Sequence, residues 1–137
     1  MIKEFKRGDT TKISINFIAS EFDCKCNKCD ITVIDLNFVK RLQKLRNFIN
    51  KPIIINSGFR CSQKQLELKQ SGYKTAKNVS QHEIGRAVDI TIKDDTINNK
   101  GIYLRDACLK CGFKSIGVGL NFVHLDARRD KFREWSY

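Results

Sequence analysis

One helical segment, ended by the only proline of the chain and followed by a β-branched run, constrains the fold most. Between Asp35 and Ile49, apolar side chains recur at three- and four-residue spacing, at Leu36, Val39, Leu42, Leu45, Phe48 and Ile49. This period predicts an amphipathic helix, which ends before Lys51-Pro52 because proline cannot continue it. The run Ile53–Asn56 that follows predicts a short buried strand.

The remaining periodic segments are short and alternate between helix and strand. A helical turn is expected at Ser20-Glu21, and a polar loop at residues 73–81. Helices are predicted at 62–70 and 98–111, and strands at 87–92, 115–120 and 122–125. Short connections favour antiparallel pairing, so we expect an α+β fold, with helices packed on a small, mainly antiparallel sheet. At 137 residues, a single domain over 1–137 is expected.

The charge of the chain indicates an anionic partner. Lys and Arg number 26 against 15 Asp and Glu, a net charge of +11. Nucleic acid, anionic lipid and an anionic cell-wall polymer would all attract such a chain, and surplus Lys could equally serve solubility alone. No predicted helix has a continuous basic face with interleaved aromatics, which argues against nucleic acid. No run reaches the roughly 18 apolar residues of a membrane span, and no signal-like run follows Met1, so we expect synthesis in a cytoplasm and no integral membrane contact.

The two histidines each lie beside acidic residues in predicted strand or strand-edge contexts. His82 lies in Ser-Gln-His-Glu-Ile-Gly-Arg-Ala-Val-Asp, residues 80–89, and His124 lies in Phe-Val-His-Leu-Asp, residues 122–126. Two imidazoles and one carboxylate can hold zinc and leave a fourth position open. From spacing alone, a structural role is the more common one for such a histidine, so both interpretations stay open at this point.

The motif Ser-x-His-x-x-Gly-x-Ala-x-Asp over 80–89 resembles the signature of the zinc D-Ala-D-Ala carboxypeptidase and L-alanoyl-D-glutamate endopeptidase family, whose fold the hedgehog signalling domain shares. Three further segments resemble that family in the same order, above all its phage-type branch: Ser-Gly-Phe-Arg at 57–60, Gly-Val-Gly at 117–119 with the His-x-Asp strand, and Trp-Ser at 135–136. The resemblance implies that His82, Asp89 and His124 bind Zn²⁺. It also implies that Arg60 contacts substrate, and we expect Ser80 to support a zinc ligand or to cap its loop.

The general base is the point where the chain departs from the family pattern. Many members carry an acid three residues before the last histidine, where this chain has Asn121. Asp126 would share the face of His124 on a strand, because side chains two residues apart point the same way. We therefore take Asp126 as the base or as the group that orients it, with a hydrogen bond to a histidine ligand as the alternative. Glu83, next to His82, is a weaker candidate.

Six cysteines allow several interpretations. Cys24-x-Cys26-x-x-Cys29 is compact, and Cys61 directly follows Arg60. Cys24, Cys26, Cys29 and one more thiolate could hold a second, structural zinc, because such spacing suits tetrahedral coordination. A disulfide between two of these residues and free thiols are the alternatives. Cys108 and Cys111 lie on the apolar face of a predicted helix and are expected to be core residues.

The leading hypothesis is a zinc peptidase that hydrolyses amide bonds in peptidoglycan stem peptides, as a D-Ala-D-Ala carboxypeptidase or as an endopeptidase of endolysin type. It would act on the cell wall after release from the cell that makes it. The alternative is a catalytically inactive, metal-containing cell-wall binding module, which Asn121 motivates. A basic nucleic-acid binder with a Cys-rich zinc element ranks last.

Overall fold

The computed structural model describes residues 1–73 and 79–137. Its strands are β1 (Ile2–Lys6), β2 (Ile31–Asp35), β3 (Ile53–Ser57), β4 (Ala87–Ile92), β5 (Ser115–Val118), β6 (Val123–Asp126) and β7 (Arg133–Ser136). Its α-helices are α1 (Leu36–Ile49), α2 (Ser62–Gln70) and α3 (Lys100–Lys110), with 3-10 turns at Ala19–Phe22 and Gln81–Ile84.

The central sheet has five strands in the order β3-β4-β6-β5-β7. All neighbours are antiparallel except β5 and β7, which are parallel. Helix α3 contacts β4, β5 and β6, and α1 contacts α3. The α+β prediction with a mainly antiparallel sheet is confirmed. Alternate residues of β4 and β6, such as Val88, Ile90 and Leu125, are fully buried, so the residues between them are left for the other face of the sheet.

Helix α1 begins where the sequence predicts, and the reason is a cap. The Asp35 carboxylate accepts hydrogen bonds from the backbone N–H groups of Asn37 and Phe38, which have no partner within the helix. Val39, Leu42 and Leu45 are buried, as the periodicity predicts. Phe48 is 54% exposed, and Ile102 of α3 is 48% exposed, so both lie at the edge of their apolar stripe and not in the core.

Two strands, β1 and β7, have no strong sequence pattern. β1 pairs with β2 in a separate antiparallel sheet, and four of its five residues are exposed, so the alternation that normally marks a strand is missing. β7 alternates only between half-buried and exposed residues. These strands form because a partner strand hydrogen-bonds to their backbone N–H and C=O groups. This is a tertiary effect, which the local sequence periodicity does not show.

The predicted loop at 73–81 is only partly described. Residues 74–78 lie outside the described residues, and Gln81 already belongs to a 3-10 turn. Among residues 1–73 and 79–137, no helix is long and apolar enough to cross a membrane.

Candidate active site

One row of residues crosses the whole central sheet and carries the site. Ser57 of β3 is paired with Asp89 of β4, and Asp89 with His124 of β6. His124 is paired with Gly117 of β5, and Gly117 with Trp135 of β7. Directly paired residues present their side chains on the same face, so the row brings a hydroxyl, a carboxylate, an imidazole and an indole together.

His82 reaches this row from the 3-10 turn at Gln81–Ile84. Ser80 caps the turn, because its Oγ accepts a hydrogen bond from the N–H of His82 at 3.2 Å. The Glu83 carboxylate in turn accepts a hydrogen bond from the N–H of Ser80, which completes a capping box. Gly85 ends the turn at φ 74°, where a Cβ would collide with the backbone of Val33. The turn is therefore fixed at both ends, and with it the imidazole of His82.

Three donor atoms form a compact triangle. His82 Nε2 lies 3.2 Å from His124 Nδ1, and His124 Nδ1 lies 3.0 Å from Asp89 Oδ1. The third side, between His82 Nε2 and Asp89 Oδ1, measures 3.4 Å. Ligands about 2.0–2.1 Å from a tetrahedral zinc ion are separated by about 3.3 Å, so the triangle has the size that zinc requires. The three candidate metal ligands are thus brought together, in an imidazole and carboxylate set that suits zinc.

The tautomer of each imidazole is set by a second hydrogen bond. His82 Nδ1 lies 2.7 Å from the carbonyl oxygen of Gly58, to which it can only donate, so Nε2 keeps its lone pair for the triangle. His124 Nε2 lies 3.0 Å from Asp126 Oδ2, which leaves His124 Nδ1 as the donor atom. Burial lowers the pKa of His82, so this imidazole is neutral near pH 7. Burial also acts against a charge on His124, but the hydrogen bonds to Asp126 and Asp89 outweigh it and raise the pKa of His124.

Asp126 is completely buried, and its carboxylate is saturated with hydrogen bonds. Besides His124, it accepts from the hydroxyl of Ser115 at 2.8 Å. It also accepts from the backbone N–H and the guanidinium of Arg128, with the shortest contact at 2.8 Å. Burial alone would raise the pKa of Asp126, but the bonds to Arg128 and His124 hold it well below its usual range. Asp126 shares the face of His124, as predicted, and its contacts are those of a group that orients an imidazole.

Arg60 lies beside the triangle. Its Nη2 donates to Asp89 Oδ2 at 2.7 Å, its Nε donates to Ser57 Oγ at 2.9 Å, and its Nη1 lies 3.4 Å from Gln65 Oε1. Burial would raise the pKa of Asp89, but hydrogen bonds with His124 and His82 outweigh it and hold the pKa far below its usual range. Arg60 therefore fixes the second oxygen of Asp89 and leaves Oδ1 to the triangle.

The site opens into a cavity of about 680 Å³. One wall is aromatic: the Trp135 ring lies 5.3 Å from the His124 ring, and Tyr137 packs between Trp135 and Phe122. Gly117 permits this wall, because a Cβ there would lie 2.7 Å from the Trp135 ring. Three arginines line the cavity, at positions 60, 128 and 133.

The other candidate residues lie away from the triangle. Asn121 is exposed and is not among the described residues that line the cavity. Cys24, Cys26, Cys29 and Cys61 come together in a separate cluster, and none of the six cysteines, all of them in the described residues, is bonded to another. Cys108 is buried in the core and Cys111 packs against it, as predicted.

Sequence reasoning did not find the Gly58 carbonyl, Ser115 or Arg128. Gly58 belongs to the quoted 57–60 segment, but a backbone carbonyl leaves no mark in a sequence. Arg128 follows Asp126 by two residues, and in the sequence this spacing of opposite charges indicates a possible ion pair. Ser115 reaches Asp126 only because β5 and β6 are paired.

A sheet and an adjoining 3-10 turn that together present two imidazoles and a carboxylate to an open cavity define a candidate zinc hydrolase. The chain matches the family Peptidase M15 over residues 15–126, which is most of its length, and it belongs to that family. This membership makes it a zinc-dependent peptidase in general terms, with peptidoglycan as the general substrate class. No curated protein and no solved structure matches the chain.

Proposed function

We propose that this chain is a single-domain zinc peptidase, spanning residues 1–137, that hydrolyses amide bonds in peptidoglycan stem peptides. The observation that carries the proposal is the triangle of His82 Nε2, Asp89 Oδ1 and His124 Nδ1, which has the dimensions of a zinc site and opens into the cavity. A bound zinc ion would supply Lewis-acid polarisation of the scissile carbonyl. The bond cut would be D-Ala-D-Ala or an internal amide, the latter in an enzyme of endolysin type that reaches the wall after release from the cell.

Each of the chain's own residues has a distinct task in this proposal. Arg60 stabilises a substrate carboxylate or the negative charge that develops on the carbonyl oxygen, because a guanidinium offers a planar pair of donors. Asp126 keeps the proton on His124 Nε2 and thereby keeps Nδ1 available to the metal. Trp135 and Tyr137 exclude water from one side of the site. The arginines of the cavity attract the carboxylates of stem peptides.

The test is the release of free amino groups from purified cell walls. The zinc-loaded chain should release them, and a chelator or His124→Ala should abolish the release. Asn121→Ala is the matched control, since Asn121 is an exposed residue of the same β5–β6 hairpin and should leave the rate unchanged. Release that survives both the chelator and His124→Ala would contradict the zinc mechanism. Mass spectrometry of the fragments would identify the bond, because each cut leaves its own new termini.

A second candidate function is a metal-containing module that binds the cell wall without cleaving it. The observation in its favour concerns the carboxylates: among the described residues that line the cavity, only Asp89 and Asp126 are acids, and both are engaged as described above. Asp126→Ala separates the two functions. A peptidase should lose turnover and keep its sedimentation with cell walls, whereas a binding module shows no turnover in the unmodified chain.

A further inference from the structure

The four cysteines of the second cluster come from two separate segments. Cys24, Cys26 and Cys29 follow the 3-10 turn at Ala19–Phe22, and Cys61 directly precedes α2. Two backbone contacts hold the segments together: the N–H of Phe59 donates to the carbonyl of Phe22 at 2.8 Å, and a Cβ at Gly58 would lie 2.8 Å from the Cα of Phe22. The backbone next to the cysteines therefore holds the two segments, and with them the four thiols, close together.

The separations of the sulfur atoms match a tetrahedron. Cys24 Sγ and Cys26 Sγ each lie 3.7 Å from Cys61 Sγ, and Cys26 Sγ lies 3.4 Å from Cys29 Sγ. All four sulfurs lie within 4.8 Å of one another. Thiolates bound to zinc at about 2.3 Å are separated by about 3.8 Å, whereas the sulfurs of a disulfide are about 2.05 Å apart.

Backbone N–H groups are directed at three of the four sulfurs. The N–H groups of Lys28 and Cys29 both point at Cys26 Sγ, at 3.3 and 3.4 Å. The N–H of Cys61 points at Cys24 Sγ, and the N–H of Lys64 points at Cys61 Sγ, each at 3.4 Å. A neutral thiol accepts hydrogen bonds only weakly, so donors directed at three of the sulfurs suit metal-bound thiolates.

Arg7 supplies the compensating charge for the cluster. Its Nη2 lies 3.1 Å from Cys29 Sγ and 2.9 Å from the carbonyl of Cys24, and its Nε donates to the carbonyl of Cys29. One guanidinium thus holds the backbone at both ends of the cysteine segment. Four thiolates around a divalent ion carry a net charge of −2, which a neighbouring cation stabilises.

We propose that Cys24, Cys26, Cys29 and Cys61 form a closed, tetrahedral zinc site that is separate from the peptidase site. Four protein ligands fill the coordination sphere of the ion, so the site is structural. The bound ion would connect residues 24–29 to Cys61, the N-cap residue of α2. Arg60 is the residue immediately before Cys61.

The test uses metal content and cobalt spectroscopy and needs no measurement of activity. The purified full chain should contain two zinc ions, and His82→Ala/His124→Ala should keep one. Loaded with Co²⁺, this double variant should show the near-ultraviolet charge-transfer band of cobalt thiolates. Adding Cys26→Ser and Cys29→Ser should remove the remaining ion and the band. Cys111→Ser is the matched control, since it removes a thiol outside the cluster and should change neither.

Two results would overturn the proposal. One is a His82→Ala/His124→Ala variant that folds but binds no zinc and gives no charge-transfer band with Co²⁺. The other is an intact mass, measured without reductant, that is lower by two hydrogens for each disulfide formed. Should the serine variant fail to fold, the unmodified chain is treated with a mercurial thiol reagent. Release of one zinc ion in step with four thiols supports the site, and thiol modification without zinc release contradicts it. Because no step measures peptidase activity, failure here is distinguishable from failure of the proposed function.

Discussion

The two clusters of candidate metal ligands differ in the number of side chains and in the elements that carry them. The His82, Asp89 and His124 cluster uses three side chains anchored in paired strands and a capped turn, and it faces a cavity of about 680 Å³. The cysteine cluster uses four side chains from a loop and a helix start, and among the described residues none of the four lines that cavity. Three ligands leave a position for chemistry, whereas four leave none. In the proposed assignment, the number of ligands alone distinguishes the catalytic zinc site from the structural one.

The largest expected effect is the loss of metal and of peptidase activity on chelation, which should occur at different chelator concentrations for the two clusters. The site with three ligands is open to the cavity and should lose its metal first, with complete loss of peptidase activity and little change in the unfolding midpoint. Removal of the cysteine-bound ion should follow at higher chelator concentration and lower the midpoint by roughly 10–20 °C, because this ion stabilises the fold by several kcal/mol. Metal content, activity and thermal unfolding are followed in one titration. A single transition in all three would break the distinction between an open and a closed site.

Arg60 provides the next test, because it touches Asp89 and directly precedes Cys61. Arg60→Lys keeps the positive charge but loses the planar pair of donors. We expect kcat/KM on muropeptides to fall by about 10²–10³-fold if this pair stabilises charge in the transition state.

Zinc content is the second measurement on Arg60→Lys and should remain at two ions per chain. Arg129→Lys, at an exposed position, is the matched control and should retain full activity. An unchanged kcat/KM would remove Arg60 from catalysis, and a loss of the zinc held by the histidines would reassign it to positioning Asp89.

Asp126→Asn has the smallest expected effect and separates two roles for this residue. If the carboxylate orients His124, its loss should weaken zinc binding at the three-ligand site by about 10–100-fold and leave the cysteine site unchanged. Excess zinc should then restore turnover. A general base would give the opposite result, with zinc bound normally and turnover lost at every zinc concentration.

Acid denaturation of the metal-free protein checks the environment of the same carboxylate. The pKa of Asp126 is held below its usual value, so the group stabilises the fold above the unfolded pKa of about 4, and this contribution is lost as the pH falls towards the folded pKa. Asp126→Asn should therefore lose stability less steeply below about pH 4 than the unmodified chain. Equal slopes would contradict the saturated hydrogen bonding described above.

Local patterns predict those parts of the molecule that bury a periodic face. Helix α1 and strand β4 were predicted within a residue of their bounds, because Val39, Leu42 and Val88 lie on faces that alternate clearly. Strands β1 and β7 bury too little for any pattern to appear. The family resemblance, and not spacing alone, singled out His82, Asp89 and His124 as candidate metal ligands.

The hydrogen bonds that support the triangle could not be predicted from the sequence. The carbonyl of Gly58 and the hydroxyl of Ser115 reach their partners only through strand pairing and chain crossing. The role of Asp126 depends on its burial, which the spacing of two residues from His124 does not contain.

The row from Ser57 to Trp135 forms only when every strand of the sheet pairs in the correct register. Each strand contributes one residue, so a shift of any strand by one position turns its contribution to the opposite face. A chain with a misaligned β4 or β6 would turn Asp89 or His124 towards the core and could not form the proposed zinc site. Zinc content would therefore report on the register of β4 and β6. In a mixture of chains with different strand registers, only those with the native register would bind zinc at this site.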